Sequence, residues 1–544
     1  MTATAAPARV EAPEGPAPGR DPFAIGLAAS VAFLAGFLAL RLTAWPPHED
    51  ETLALYVGRG SLGDLADTVL GERGGAPLHY VFAWIVAHLG GSIGGLRLVS
   101  ALFAVASLPL LALLVRRLTD GTTAALATGL AATSWVLLFH AVYARMYSIF
   151  LFTSLLSYLA LLVALRDGGR RRWAFWAVAS LLCVATHPYG ALVLASQAGF
   201  VALVRERVRE AFWAFAAVGV VGIPFWITDL VLAGRFDVGV GGGGAKLGGP
   251  LAVAEYLGAV ATDFSAGPVL LPIVLALALA GAWVLPPRSR LFALAVVGVP
   301  SLAFVAARLG SAAAPETRHL IFALPVFAML VAAALVAVAR SGREGAPLAA
   351  GLTAALLLVG GVAWAAEKTP LLFTGEPERR EAGRQAASAW LAETGRPDDV
   401  LLGYEPVYLG AWERSDSFSR FVLPRADSRL AAEALRDAER PLGRGVWVLN
   451  ASDTTNIEQQ SLIARRYPRA AREFEARAFG PFLVIRTRAP MRTTDRYLEQ
   501  AAAAMILGKL LEIGDADINF QTISRVAELL DYEPSSRSFS MSSR

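Results

Sequence analysis

One cysteine, Cys183, is present, and it lies inside an apolar run, so an intramolecular disulfide, a CxxC redox pair and a cysteine-ligated zinc site are all excluded. The chain has no P-loop, no glycine-rich dinucleotide fingerprint and no HExxH helix, which removes three common routes to nucleotide or metal chemistry. Charge is scarce as well. Asp, Glu, Lys and Arg make up 17% of the residues, and the net charge of +4 comes from arginines in short clusters between apolar runs. That distribution gives no footing for nucleic acid. What remains is apolar: 55% hydrophobic residues and a mean hydropathy of +0.50, well above a soluble globular chain. Runs long enough to cross a hydrocarbon core recur from Ile25 to Ala366, which describes a polytopic membrane protein.

The arginine clusters set an orientation. Arg116–Arg117, Arg166 with Arg170 to Arg172, Arg205 with Arg207 and Arg209, Arg288 with Arg290, and Arg340 with Arg343 fall at every second turn. The positive-inside rule assigns those turns to the cytoplasm. From a cytoplasmic N-terminus the runs divide into about eleven spans of roughly 20 residues. Their approximate limits are 23–44, 92–115, 122–140, 146–165, 173–187, 189–204, 211–231, 267–285, 291–308, 319–339 and 347–366. An odd count leaves everything after Glu367 outside. Residues 1–22 read as a disordered cytoplasmic leader. The first apolar run exceeds the roughly 7–15 residues of a signal core and follows a polar Pro/Ala-rich stretch, so it is expected to stay as an anchor.

The outer loop, residues 45–91, is patterned as short helices. Leu53, Tyr56 and Val57 share one face; Ser61 and Asp64 form a capping pair before Leu62, Leu65 and Val69; Pro77 opens a third helix bearing Tyr80, Trp84 and His88. Residues 235–249 include the glycine run Gly241 to Gly244 and read either as a mobile linker or as a gate. Beyond Pro377 the composition becomes that of a small layer of helices and strands. Helices are expected over 381–394 and 430–438, and strands over 400–403, 445–449 and 482–486. Thus 23–366 is an all-α polytopic membrane domain and 367–490 a small extracytoplasmic α/β domain. Residues 491–544 form a helical stretch and a disordered polar tail.

The stretch Pro46 to Glu51, PPHEDE, sets three carboxylates, Glu49, Asp50 and Glu51, at the mouth of the first span. Ionisable groups there are costly unless they face water, protein or a ligand, which makes them functional candidates. They also suit the positive first turn of a following helix, and both roles are compatible. Arg145, His187 and Arg318 fall at the same membrane surface as Asp50 by the span count. Each alone has a plain reading as a snorkelling or core residue. Together they pair a carboxylate with cations, as a phosphate-bearing ligand and a proton to be removed would require.

Asp50-Glu51, Pro77-Leu78-His79-Tyr80, Arg97-Leu98-Val99-Ser100, Ala144-Arg145-Met146-Tyr147, His187-Pro188-Tyr189-Gly190 and Arg318-His319-Leu320 with Pro325 occur in this order. The set, over residues 23–340, resembles the GT-C membrane glycosyltransferases, in the bacterial branch similar to protein O-mannosyltransferases and aminoarabinose transferases. The resemblance implies a hexosyl- or pentosyltransferase that uses a polyprenyl-phosphate sugar and a lipid, glycan or protein acceptor, in the cytoplasmic membrane. It implies Asp50 as the catalytic or acceptor-orienting carboxylate, with Glu51 beside it. Arg145 and Arg318 would hold the donor phosphate, with Tyr147 and His187 among the donor contacts. The family commonly has a Glu two residues before the Arg-x-Tyr motif and His-Pro-Pro or Lys-Pro-Pro before Leu78; this chain has Tyr143 and Gly75-Ala76-Pro77 there, and Glu49 or His79 is the candidate substitute for the second acid and the phosphate-side cation. No cofactor is required by this reading, although the acidic triplet could recruit a divalent metal. The rival reading is a lipid-linked sugar flippase or transporter. It is weakened by the absence of an internal repeat and by charges at one surface rather than at the midplane.

Overall fold

The computed structural model describes residues 21–237, 250–307, 316–375, 377–423, 442–450, 474–480 and 482–490, with Ala434 and Ala438. The expected leader, the glycine run, nearly all of the 430–438 helix and the 491–544 tail lie outside the described residues.

The first span is α1 (Pro22–Arg41), begun by Asp21, whose side chain accepts the Phe23 amide at 3.0 Å. The outer loop folds into α2 (Glu49–Gly58), α3 (Leu62–Asp67), a π turn and α4 (Pro77–His88). The expected Ser61–Asp64 capping pair is present, and Pro77 is the first residue of α4. Val57, Leu65 and Val69 pack against Leu53, Tyr80 and Trp84, so the three short helices form one lid. The chain enters α4 through three left-handed residues, Gly74, Gly75 and Ala76. A Cβ on Gly74 would collide with the Thr228 carbonyl, so only glycine permits that close crossing.

The remaining membrane helices are α5 (Ile93–Leu118), α6 (Gly121–Ala132) with α7 (Trp135–Val142), α8 (Tyr147–Asp167), α9 (Arg170–Thr186), α10 (Gly190–Val204) and α11 (Val208–Val221) with α12 (Ile223–Asp237). They continue with α13 (Pro250–Phe264), α14 (Leu271–Val284), α15 (Pro287–Ala307), α16 (Leu324–Ala339) after a 3-10 turn at Thr317–Ala323, and α17 (Ala346–Lys368). A helix stands at each of the eleven expected spans. Among the described residues, however, six helices are by length and composition able to cross a membrane, or eight if each bent pair is one span. The shortfall has a local cause. Helices α9, α10 and α14 are only 17, 15 and 14 residues long, and two expected spans break, by 58° between α6 and α7 and by 59° between α11 and α12. Pro224 accounts for the second break, because it lacks the N–H that would continue the α11 ladder. The protein is a multi-pass membrane protein. Its span count is lower by this measure than the sequence implied, and the helix α13 was not foreseen.

The helices share two ends. Arg116 and Arg117, Arg166, Arg170, Arg207, Arg288 and Arg340 lie at one end, tied together by the Arg340–Asp120 (3.1 Å) and Arg288–Glu206 (2.8 Å) ion pairs. At the other end lie the start of α8, the end of α9 and the lid. Packing between them is close: a Cβ on Gly281 of α14 would overlap the Leu330 carbonyl of α16.

After α18 (Pro370–Thr374) and α19 (Pro377–Thr394), the chain forms β1 (Val400–Leu402), α20 (Pro406–Arg414), β2 (Val422–Leu423), β3 (Gly445–Asn450), β4 (Phe474–Phe479) and β5 (Phe482–Thr487). The sheet order is β2-β1-β3-β5-β4, parallel for β2-β1-β3 and antiparallel for β3-β5-β4. The three expected strands are present, and α20, β2 and β4 were not foreseen. This layer has no core of its own. Trp390, Leu391, Tyr408, Trp412, Phe418 and Val446 join Ala54, Leu55, Ala83, Val86, Leu96 and Ala144 in one buried cluster. Tyr56 donates to the Arg420 carbonyl at 3.1 Å, Arg59 pairs with Glu413 at 2.9 Å and Arg73 donates to the Tyr404 hydroxyl at 2.7 Å.

Candidate active site

The three carboxylates of PPHEDE sit in the first turn of α2, where the helix dipole favours them. The cap itself is His48: its Nδ1 accepts the Asp50 amide at 3.2 Å, and its own amide donates to Glu51 Oε2 at 2.9 Å. Consecutive helical residues point about 100° apart, so the acids cannot share a role. Glu51 faces the protein. It is fully buried and receives Arg97 Nε and Nη2 at 2.7 Å each, the Ala144 amide at 2.9 Å and the His48 amide. Arg97 in turn donates to the carbonyls of Leu42, Trp45 and Pro46. Glu51 thus ties α1, α2, α5 and the turn after α7 to one another, and its oxygens are occupied. This corrects the expectation that it stands beside Asp50 as a reacting group.

Asp50 faces the mouth. Its Oδ2 forms an ion pair with Arg145 and accepts the Tyr143 hydroxyl at 3.0 Å, with the side chain 27% exposed. Burial disfavours its charge, but Arg145, the His48 hydrogen bond and Tyr143 prevail and hold the carboxyl well below its ordinary range. Tyr143 therefore occupies the place at which the sequence pattern called for an acid. Glu49 opens α2 beside them, close enough for its charge to act on His48. His79, on α4, is buried and its pKa is pushed down to about 3, first by burial and then by Arg145, so it is neutral.

Arg318 lies in the 3-10 turn before α16. Its Nη2 donates to Glu316 at 2.6 Å, and its guanidinium carbon stands 5.1 Å from the centre of the buried Tyr147 ring. That turn is held by Thr317, which donates to Asp263 at 2.6 Å, and Asp263 is locked by Lys368 at 2.5 and 2.6 Å. Tyr147 also stacks with His319 (6.0 Å) and meets His187 (5.7 Å) and His140 (4.6 Å) at a tilt, and His187 stacks on Phe150 at 4.8 Å. The structure thus brings Asp50, Arg145, Tyr147, His187 and Arg318 to one end of the helices, as the span count implied. His48, His140, Tyr143 and His319 lie there as well; Tyr143 and His319 were noted in the sequence only within motifs, and none of the four was given a role. Among the described residues, Arg145 Nε, Arg318 Nε and both ring nitrogens of the buried His140 have no hydrogen-bond partner. No group of three or more acids, histidines or cysteines has metal-binding geometry among the described residues.

No family model matches the chain, and no curated protein matches its sequence. Solved structures do. The chain resembles the crystal structure of ArnT from Cupriavidus metallidurans bound to undecaprenyl phosphate, with 12% identity and a TM-score of 0.50 over 86% of this chain and 98% of that one. It also resembles the crystal structure of the Archaeoglobus fulgidus oligosaccharyltransferase in complex with zinc and sulfate. That match has 14% identity and a TM-score of 0.51 over 78% of this chain and 67% of that one. These likenesses establish the fold: the chain is built on the GT-C architecture.

Proposed function

We propose that the protein is a membrane glycosyltransferase that moves a sugar from a polyprenyl-phosphate donor to a hydroxyl-bearing acceptor outside the cytoplasmic membrane. The observation that carries this reading is the juxtaposition of one ionised carboxylate, Asp50, with two guanidiniums, Arg145 and Arg318, over a buried tyrosine and histidine floor. The fold supports it, since ArnT of the same architecture is described with undecaprenyl phosphate bound. The prenyl chain enters between helices, and its phosphate meets the guanidiniums of Arg145 and Arg318, whose side chains each keep 20% of their surface exposed. These cations stabilise the charge growing on the phosphate as the anomeric bond breaks. Asp50 orients the acceptor hydroxyl and accepts its proton, so the sugar is displaced once, with inversion. The buried rings of His140, His187 and Tyr147 form the floor on which Arg318 rests. Glu51 positions Asp50 and takes no part in bond making.

The test uses undecaprenyl phosphate as probe, with native membranes supplying donor and acceptor. Purified protein should bind the lipid, and Arg145→Ala and Arg318→Ala should each weaken binding. Turnover should release polyprenyl phosphate, detected by mass spectrometry of the lipid. Binding that is unchanged in both arginine variants would remove the assignment, and intact donor carried across the bilayer would favour a flippase instead.

A further inference from the structure

We propose that His48 is the proton relay behind Asp50, passing the acceptor's proton through the Tyr143 hydroxyl to the outer solvent. This rests on Asp50 acting as the proton acceptor. The geometry is a short chain of three groups. The Tyr143 oxygen lies 3.0 Å from Asp50 Oδ2 and 3.0 Å from His48 Nδ1, and the two end atoms are 3.4 Å apart. The His48 ring meets Tyr143 edge-on, at 84° and 5.7 Å between centres. Its side chain is 49% exposed, against 27% for Asp50, so the chain runs from the more enclosed acid to water.

A relay is called for because Asp50 is a weak base. Paired with Arg145, it holds a proton poorly. For His48, burial works against the imidazolium. The hydrogen bond and charge of Asp50, helped by Glu49 and opposed by Arg145, nevertheless hold its pKa above the ordinary histidine value. The proton therefore runs downhill from Asp50 to His48. The groups acting on the ring are Glu49 and Asp50 of its own helix and Tyr143 and Arg145 of the turn after α7.

The resting state is ready to receive. In neutral His48 the Nδ1 lone pair accepts the Asp50 amide, which puts the ring proton on Nε2, and that amide contact opens as Nδ1 takes the incoming proton. In the transfer step the acceptor oxygen bonds to the anomeric carbon while the bond from that carbon to the phosphate oxygen breaks, its electron pair leaving with the phosphate. The acceptor's proton passes to Asp50 Oδ2. Tyr143 takes it and gives its own hydroxyl proton to His48 Nδ1. Water at the exposed ring then removes one proton and re-equilibrates the tautomers. No oxidant, metal or second substrate is needed.

The test compares wild type with His48→Asn, His48→Ala and Tyr143→Phe, each in the full chain. Asn keeps the N-cap, so the helix is preserved. Rates are read as polyprenyl phosphate released in native membranes, as a function of donor level and pH. Both His48→Asn and Tyr143→Phe should lower the maximal rate at least about tenfold, less than the ~10²–10⁴ expected for losing the base itself. The donor concentration at half-maximal rate should stay unchanged. Wild type should gain rate as the pH rises through the raised His48 value, and that limb should vanish in His48→Asn. Added imidazole should restore His48→Ala. A wild-type rate and pH profile in His48→Asn, or a loss that imidazole does not restore, overturns the relay alone. Wild-type protein that releases no polyprenyl phosphate overturns the glycosyltransferase reading and the relay with it.

Discussion

Glu51→Gln distinguishes a structural tie from a reacting acid. Gln matches the volume of Glu but replaces one acceptor oxygen with an NH2 and removes the charge that answers Arg97. Glu51 is fully buried and receives four donors, so the new amide must face at least one N–H. Arg97 keeps its carbonyl contacts, which hold it without neutralising it. Removing one side of a buried pair costs about 3–5 kcal/mol. Against about 5–15 kcal/mol for a typical fold, that is a large share. Asp50→Asn is different: Asp50 and Arg145 keep 27% and 20% of their side-chain surface exposed, so solvent screens the loss to about 1 kcal/mol or less. The assay heats detergent-purified variants and follows the surviving monodisperse fraction, with transfer measured on the folded material. Glu51→Gln should lose midpoint and yield, whereas Asp50→Asn should keep its midpoint and lose transfer. Wild-type stability in Glu51→Gln together with abolished transfer would return Glu51 to the chemistry and refute the argument.

Three other outcomes follow from the same geometry. Arg145→Ala and Arg318→Ala should each weaken undecaprenyl phosphate binding about 10- to 150-fold, from ~1.5–3 kcal/mol per charge-assisted contact; Arg318→Lys should recover only part, lacking the planar fork. Because the Asp50 pKa is depressed, its ionised form, and the stability its pairing adds, persist above the unfolded carboxylate value and are lost as pH falls through the lower folded value. The transfer that remains below the His48 limb should therefore survive to pH below the ordinary carboxylate range, and in Arg145→Ala that acid limit should move upward. A reporter fused after Glu367 should read the outer compartment, as the arginine-rich turns at the opposite end require; cytoplasmic signal there would reverse the sidedness of the whole site.

Much of this was legible because it is periodic or compositional. Apolar runs gave the helices, Ser61 with Asp64 and Pro77 gave the lid, and arginine spacing gave two ends before any contact was known. The breaks were harder to read, since Thr133-Ser134 sits in an unbroken apolar run and only the local geometry bends it. The strands β2 and β4 were missed for a related reason. β2 has two residues, and β4, Phe474–Phe479, carries charges at alternate positions that only pairing with β5 makes strand-like.

The least legible feature was the phase of α2. The sequence offers Glu49, Asp50 and Glu51 as near equals, and a rotation of about 100° separates one acid from the next. What fixes that rotation is distant in the chain. Arg97, 46 residues on, takes Glu51 into the protein, and the turn after α7 presents Tyr143 and Arg145 to whichever acid is left at the mouth. His48 follows from the same rotation. As a letter beside three acids it reads as a surface residue, and only the cap geometry turns its Nδ1 toward Asp50. Which acid stands at the mouth is thus set by one long-range ion pair. A change at Arg97 should therefore disturb the Asp50 site before it disturbs the membrane helices.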